Sequence, residues 1–296
     1  MNGVLVVDKP AGFTSFDVVA VVRRLSGQRK IGHTGTLDPN ATGVLPLLLG
    51  NATKAQDIVP NHDKEYVADF RLGLKTDTLD IWGKVVCEKQ SNASREEIKK
   101  IIKKYTGEIE QIPPMFSAVS VNGQRLYDLA RQGKEIERKA RKVTIYELEI
   151  LSFDEEKQSG TLRVKCSRGT YIRTLIDDIG AELGTGAVMT ALNRTMACGF
   201  MLGDSLGLDE IKKLAEKGEL EQSLLSTESI FTAYPELYVS EAQSKRFKNG
   251  GALDIERTGL RGKSVTDGGL LRVKGGADFL GLGIIKCGEI KIYKMF

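Results

Sequence analysis

The stretch GHTGTLDPNATGVLPL, residues 32–47, sets three glycines, one of the chain's two histidines and an Asp-Pro pair ahead of a short apolar run. Taken alone, Asp38-Pro39 is an ordinary helix start: the carboxylate caps free N–H groups and proline fills the first helical position without losing a hydrogen bond. A cap, however, needs neither a histidine nor paired glycines. Gly32 and Gly35 let the backbone come close to a bulky partner. His33 in such a loop can stack on a nucleobase or bond a phosphate.

The chain around this loop has 296 residues, 41% of them hydrophobic, enough for one large domain and a smaller one. The apolar run Val44 to Leu49 is broken by Pro46 and is too short to span a bilayer. The N-terminal MNGVLVVDKPAG turns polar too soon for a signal peptide, so a soluble cytoplasmic protein is expected. Cys87, Cys166, Cys198 and Cys287 lie far apart in apolar, strand-like stretches, which reads as reduced structural thiols. Neither His33 nor His62 has a ligand pattern beside it, so no metal is expected. RGKSV at 261–265 is no phosphate-binding loop, since the position that would need a glycine is Arg257. Net charge is only +4, with basic clusters in RQGKEIERKAR (131–141) and at Lys245, Arg246 and Lys248. That permits nucleic-acid binding without demanding it, and on charge alone solvated helix faces are the plainer reading.

Patterning places the loop among mixed elements. GVLVVDKP reads as a strand, and SFDVVAVVRRLSG as a helix capped by Thr14 or Ser15 and stopped at Gly27. NATKAQDIV reads as a short helix and KEYVADFRLGL as a strand. In SREEIKKIIKKYTG, Ser94 and Glu97 form a capping box, while Ile98, Ile101, Ile102 and Tyr105 make the buried stripe. Residues 113–142 hold a strand, an Asn-Gly turn, a short helix and a basic stretch poor in apolar positions, as an excursion from the main sheet would. VTIYELEILSFD and SGTLRVKCS form a hairpin, TYIRTLIDDIGAELG a helix, and AVMTALNRTMACGFML a long strand or hairpin. Beyond Pro235, one short helix and strands separated by glycine pairs suggest a small β-barrel-like domain.

With these motifs in order, the chain resembles the TruB family, the bacterial tRNA pseudouridine synthases that isomerise uridine 55 in the T loop. The resemblance rests on VVDKPAGFTS, GHTGTLDP-ATGVLPL, KEYVADFRLGLKTDTLDIWG, IPPMFSAVSVNGQRLYDLAR, CSRGTYIRTLIDDIG and TALNRT, and more weakly on a C-terminal region similar to a PUA RNA-binding domain. It implies an α/β (α+β) fold: a long mixed, largely antiparallel sheet flanked by helices, with a catalytic domain at 1–235, an RNA-binding thumb at about 113–142 and a PUA-like domain at 236–296. It implies an isomerase that needs no cofactor, acting as a monomer on the T arm of tRNA. Asp38 matches the catalytic aspartate, a nucleophile at the base or the sugar. Tyr66 matches the aromatic that packs on the target base and handles the proton at C5, and Arg173 the arginine that pairs with the aspartate. Asp80 matches an acidic partner in that network, Leu192 an apolar pocket wall, and His33 a residue that stacks where flipped bases leave the loop. Tyr171 precedes Arg173 on the same segment, and Lys9 and Pro10 match a motif supporting the catalytic loop.

The chemistry agrees with these roles. A carboxylate nucleophile must be ionised inside a water-excluding base pocket, and an adjacent arginine favours the anion. Turning a base over also requires extruding it and holding it against an aromatic face. Without the family, each residue has a plainer reading: Tyr66 and Leu192 as core, Arg173 as a surface helix residue, Asp80 as a turn former. An RNA-folding factor with an incidental pocket is a second reading, against which the set Asp38, Tyr66, Arg173 argues. A guide-RNA-dependent relative from archaea or eukaryotes is a third, which the minimal N-terminus and the long insertion disfavour.

Overall fold

The computed structural model describes residues 1–121 and 123–296. Strand β1 (Gly3–Lys9) leads to helix α1 (Ser15–Ser26). Thr14 is its cap, accepting from the Asp17 N–H while Asp17 accepts from the Thr14 N–H, which leaves the Ser15 hydroxyl for another partner. Gly27, at φ 64°, ends the helix in the left-handed region. Strands β2 (Ile31–His33) and β3 (Thr42–Leu49) flank the loop that carries Asp38. No helix starts at Pro39: residues 34–41 are irregular, with a bend at 34–35 and a turn at 39–40, so the local capping rule fails there. Residues Gly50–Ala55 form a 3-10 helix.

Next come β4 (Lys64–Leu72), β5 (Leu74–Thr76) and β6 (Val85–Glu88), then α2 (Arg95–Ile102) with its expected Ser94–Glu97 box, and β7 (Gly107–Gln111). The excursion carries β8 (Ser120–Val121), β9 (Gln124–Arg125) and α3 (Leu126–Arg131); the Asn-Gly turn expected there falls on Asn122, outside the described residues. Leu126 and Leu129 of α3 are buried, so this segment is better anchored than its polarity suggests. Strands β10 (Arg141–Asp154) and β11 (Ser159–Cys166) form the expected hairpin, followed by α4 (Ile172–Glu182). A second hairpin, β12 (Ala187–Ala197) with β13 (Phe200–Met201), precedes β14 (Leu206–Gly207) and α5 (Leu208–Glu216).

Ten strands form one sheet in the order β14-β1-β3-β12-β4-β11-β10-β7, with β2 on β3 and β13 on β12. Only β1–β14 and β3–β12 run parallel. In β1, Val4 and Val6 face one side and Leu5 and Val7 the other, and all four are buried, so the strand reads as a continuous apolar run. Helices α2 and α4 cover one face of the sheet's far half, while α1 and α5 cover β1 and β3. Pro46 is tolerated inside β3 because β12 pairs with Thr42 and Gly43 and β2 with Leu47 to Leu49, leaving its N–H-less edge between them.

The last segment holds β15 (Glu236–Tyr238), α6 (Glu241–Lys248), β16 (Leu253–Asp254), β17 (Leu270–Gly275), β18 (Asp278–Lys286) and β19 (Glu289–Met295), in a second sheet ordered β15-β17-β18-β19-β16. Two of the thiols depart from expectation: Cys166 and Cys198 are buried, but Cys87 lies on the wholly exposed β6 and Cys287 in an exposed turn at φ 51°. Among the described residues, no helix is long and apolar enough to cross a membrane, and no cluster of three or more His, Cys, Asp or Glu is disposed to hold a metal.

Candidate active site

Five parts of the chain converge on one cavity of about 240 Å³. The 34–41 loop contributes Gly35 to Asp38, β4 contributes Lys64 and Tyr66, the insertion contributes Ser117 and Ala118, the start of α4 contributes Tyr171 to Arg173, and β12 contributes Leu192. Lys64 and Tyr66 share a face of β4 by the strand period of two.

The loop is fixed at almost every residue. Arg194, with no exposed surface, donates from Nε to Val44 O (2.7 Å), from Nη2 to Gly35 O (3.1 Å) and from Nη1 to Thr36 O (3.4 Å). The Ser15 hydroxyl accepts from the Leu37 N–H at 2.9 Å. Lys9, also fully buried, donates to Pro39 O (3.0 Å), Phe13 O (2.6 Å) and Pro10 O (3.0 Å). Burial pushes its ammonium down to about 8, against the pull of Asp38. Two buried cations thus hold carbonyls on either side of Asp38 and leave its carboxylate free to face the cavity.

That carboxylate meets Arg173, whose Nη2 lies 3.0 Å from Asp38 Oδ2. Arg173 is 6% exposed at the side chain and Asp38 42%, so the arginine is the fixed member and the aspartate the accessible one. Arg173 is held by Thr78 O and Phe116 O, each at 2.9 Å, and its Nη1 lies 3.7 Å from Asp80 Oδ2. Asp80 is itself tied down, its Oδ1 accepting from the Thr78 hydroxyl (2.6 Å) and the Trp82 N–H (3.2 Å). Asp80 therefore serves a turn and the arginine at once. Gln111 braces Tyr171, accepting from its N–H at 3.0 Å and donating to its carbonyl at 3.3 Å.

Tyr66 is buried in the cavity wall, and burial pushes its phenol up to about 12, so it meets a ligand as a neutral hydroxyl. Leu192, 9% exposed, forms part of the same wall. His33 is set apart: it sits on β2, edge-on to the exposed Phe16 ring at 5.7 Å, and is not among the cavity's lining residues. Burial and the nearby Arg194 hold its imidazole below the usual histidine range. The structure thus brings together Asp38, Tyr66, Arg173, Tyr171 and Leu192, with Asp80 behind Arg173. Arg194 and Lys64 carried no assignment from the sequence. For Arg194 a signal exists: it follows the buried Leu192 at the strand period of two in β12, a position an unneeded arginine would not occupy.

Residues 23–172 match the family model described as TruB family pseudouridylate synthase (N terminal domain), and residues 173–232 match the one described as tRNA pseudouridylate synthase B C-terminal domain. The chain belongs to the TruB family of pseudouridylate synthases. A relative named tRNA pseudouridine synthase B from Clostridium tetani is 42% identical over 296 residues, covering 100% of this chain and 99% of that protein. Another of that name, from Geobacillus thermodenitrificans, is 44% identical over 261 residues, 86% of each chain. Among solved structures, the chain of an H/ACA RNP bound to a substrate RNA containing 2'-deoxyuridine superimposes with a TM-score of 0.75 at 23% identity, covering 99% of this chain and 84% of that one. A chain of a Cbf5-Nop10-Gar1 complex gives 0.73 at 25% identity, with the same coverage. These neighbours share the TruB family's fold, with the large mixed sheet and the curled C-terminal sheet.

Proposed function

We propose that this enzyme isomerises uridine 55 in the T loop of tRNA to pseudouridine, with Asp38 as the nucleophile acting on an extruded uridine. The observation that carries the reading is the accessible Asp38 carboxylate 3.0 Å from a buried arginine in a base-sized cavity. Isomerisation breaks the N1–C1' bond, forms C5–C1', removes a proton from C5 and returns one to N1, so nothing is consumed. Asp38 supplies the oxygen that bonds to base or sugar, and Arg173 holds its charge in place. Tyr66 and Leu192 clamp the base, and the neutral Tyr66 hydroxyl is the group beside the base that handles the proton on its way from C5 to N1. Residues 1–235 form the catalytic domain, with the 113–142 segment and residues 236–296 extending the RNA contact.

The test pairs RNA affinity with single-turnover conversion of an unmodified tRNA transcript, reading pseudouridine at each position. The parent protein is expected to convert one T-loop uridine. Asp38→Asn should abolish conversion, since the amide lacks the nucleophilic oxygen, while affinity stays the same or rises because an anion leaves a cleft that binds a polyanion. The cost to stability should be roughly 1 kcal/mol, because Arg173 keeps both carbonyl partners. Conversion near the parent rate would remove Asp38 from the nucleophile's role.

A further inference from the structure

Four cationic side chains surround the Asp38 loop, and three have their donors engaged. Lys9 gives its ammonium to three carbonyls, Arg194 its guanidinium to three, and Arg173 pairs with Asp38 and two carbonyls. Lys64 differs. It is partly buried, lines the cavity, and donates to one carbonyl, His62 O at 2.9 Å. An ammonium has three donors, and among the described residues no carboxylate comes within ion-pair distance of this one.

We propose that Lys64 forms a phosphodiester subsite of this cavity, holding a backbone phosphate of the nucleotide whose base enters beside Asp38. The inference rests on the reading of the chain as an RNA-modifying enzyme. Burial holds the Lys64 ammonium below the ordinary lysine range, with Arg194 adding repulsion that Cys198, Cys166 and Asp63 only partly offset, so an anion entering the cavity would meet an incompletely compensated charge. The ligand's two chemistries are separated as a nucleotide needs: Asp38 and Arg173 on one wall meet the base and sugar, and the lone cation on another meets an anion. Gly35 lets the Asp38 loop approach Lys64 closely, since a Cβ there would stand 3.3 Å from Lys64 Cε, 3.7 Å from Arg194 Nη1 and 4.0 Å from Lys64 Nζ. A neutral base alone would leave Lys64 unpaired, whereas a phosphate oxygen accepts a charge-assisted bond.

The experiment uses the full chain and a T-arm RNA hairpin in which the phosphate on either side of the target uridine is replaced, one at a time, by an uncharged methylphosphonate. Lys64→Gln keeps a donor for His62 O and removes the charge; Lys64→Met removes both. Both variants are expected to bind the unmodified RNA about tenfold more weakly, with the salt dependence of affinity reduced by about one phosphate contact. One of the two methylphosphonates should weaken the parent protein by a similar factor and weaken Lys64→Gln no further. Additive losses at both positions would overturn the proposal. So would a Lys64→Gln protein with parental affinity and salt slope, which would assign the lysine to His62 alone. A parent protein that leaves the uridine unconverted would instead defeat the functional reading, so the two failures are distinguishable.

Discussion

Arg194 is fully buried and yet, among the described residues, it pairs with no carboxylate; its donors go to the carbonyls of Val44, Gly35 and Thr36. A guanidinium fork suits this task, because its planar donors reach three acceptors in fixed directions. Arg194→Met would remove a buried charge, itself a relief, but would leave three carbonyls short of a donor at the base of the Asp38 loop. The expected result is a loss of about 2 kcal/mol in stability and a fall in single-turnover conversion of at least roughly tenfold, since small misplacements of a reacting group are costly. RNA affinity should change far less. Arg194→Lys should restore part of the stability and less of the rate, because one ammonium cannot reproduce the fork. Parental conversion by a stably folded Arg194→Met protein would show that the loop holds Asp38 without it.

Helix α4 shows how an element serves the site and carries a cost of its own. Its first turn supplies Tyr171 to Arg173, its apolar stripe Ile172, Leu175, Ile176 and Ile179 is buried under the sheet, and its polar edge holds Asp177 and Asp178 side by side. Lys75 pairs with Asp177 at 3.2 Å. Burial, with Asp177 adding repulsion, pushes the Asp178 carboxyl up to about 6 from 3.8. A carboxyl whose folded value is raised binds a proton in the native state that the unfolded state has already lost, so stability falls as pH rises from about 4 to about 6. Asp178→Asn should therefore raise the unfolding free energy from urea titration at pH 7.5 by an amount on the order of 1 kcal/mol, solvent screening limiting the gain. The gain should shrink as pH approaches 4, and an equal gain at both pH values would contradict the assignment. What was legible in the sequence at this scale was local. The caps at Thr14 and Ser94 and the stripes of α2 and α4 depend on residues within a turn or two of one another. The dipeptide Asp38-Pro39 taken alone points to a helix start that does not form, because Lys9, Ser15 and Arg194, brought from three other elements, hold that segment in a loop. Gly43 was equally opaque. It sits at φ 99°, where a Cβ would come within 2.3 Å of Arg194 O, so its need is set by the β3–β12 pairing and by nothing near it in the chain.

At the scale of the whole molecule, the second sheet is packed into the first by a shared core. Phe231 and Leu282 are fully buried with Val4, Val6, Val44 and Leu48, and Phe231, Phe279 and Phe296 stand within 6.2 Å of one another ring to ring. Around this core, Arg272 pairs with Glu228 at 2.9 Å and Glu236 at 3.1 Å, and Lys274 with Glu228 at 3.1 Å. Residues 236–296 thus cover apolar side chains that belong to β1 and β3, the strands that carry Lys9 and frame the Asp38 loop. A chain ending at 235 would expose Phe231 and its neighbours, so loss of conversion after truncation would report unfolding as readily as lost RNA contact. A point change separates the two. Phe279→Ala removes a partly buried ring from the shared core and should cost about 2 kcal/mol. Because the core is common, scanning calorimetry should show a single transition for the parent, shifted downward as a whole in the variant. RNA affinity measured well below that transition should be unchanged. Two separate transitions, with only one displaced by Phe279→Ala, would mean that the C-terminal sheet folds on its own and that residues 236–296 can be removed without loosening the strands beneath the active site.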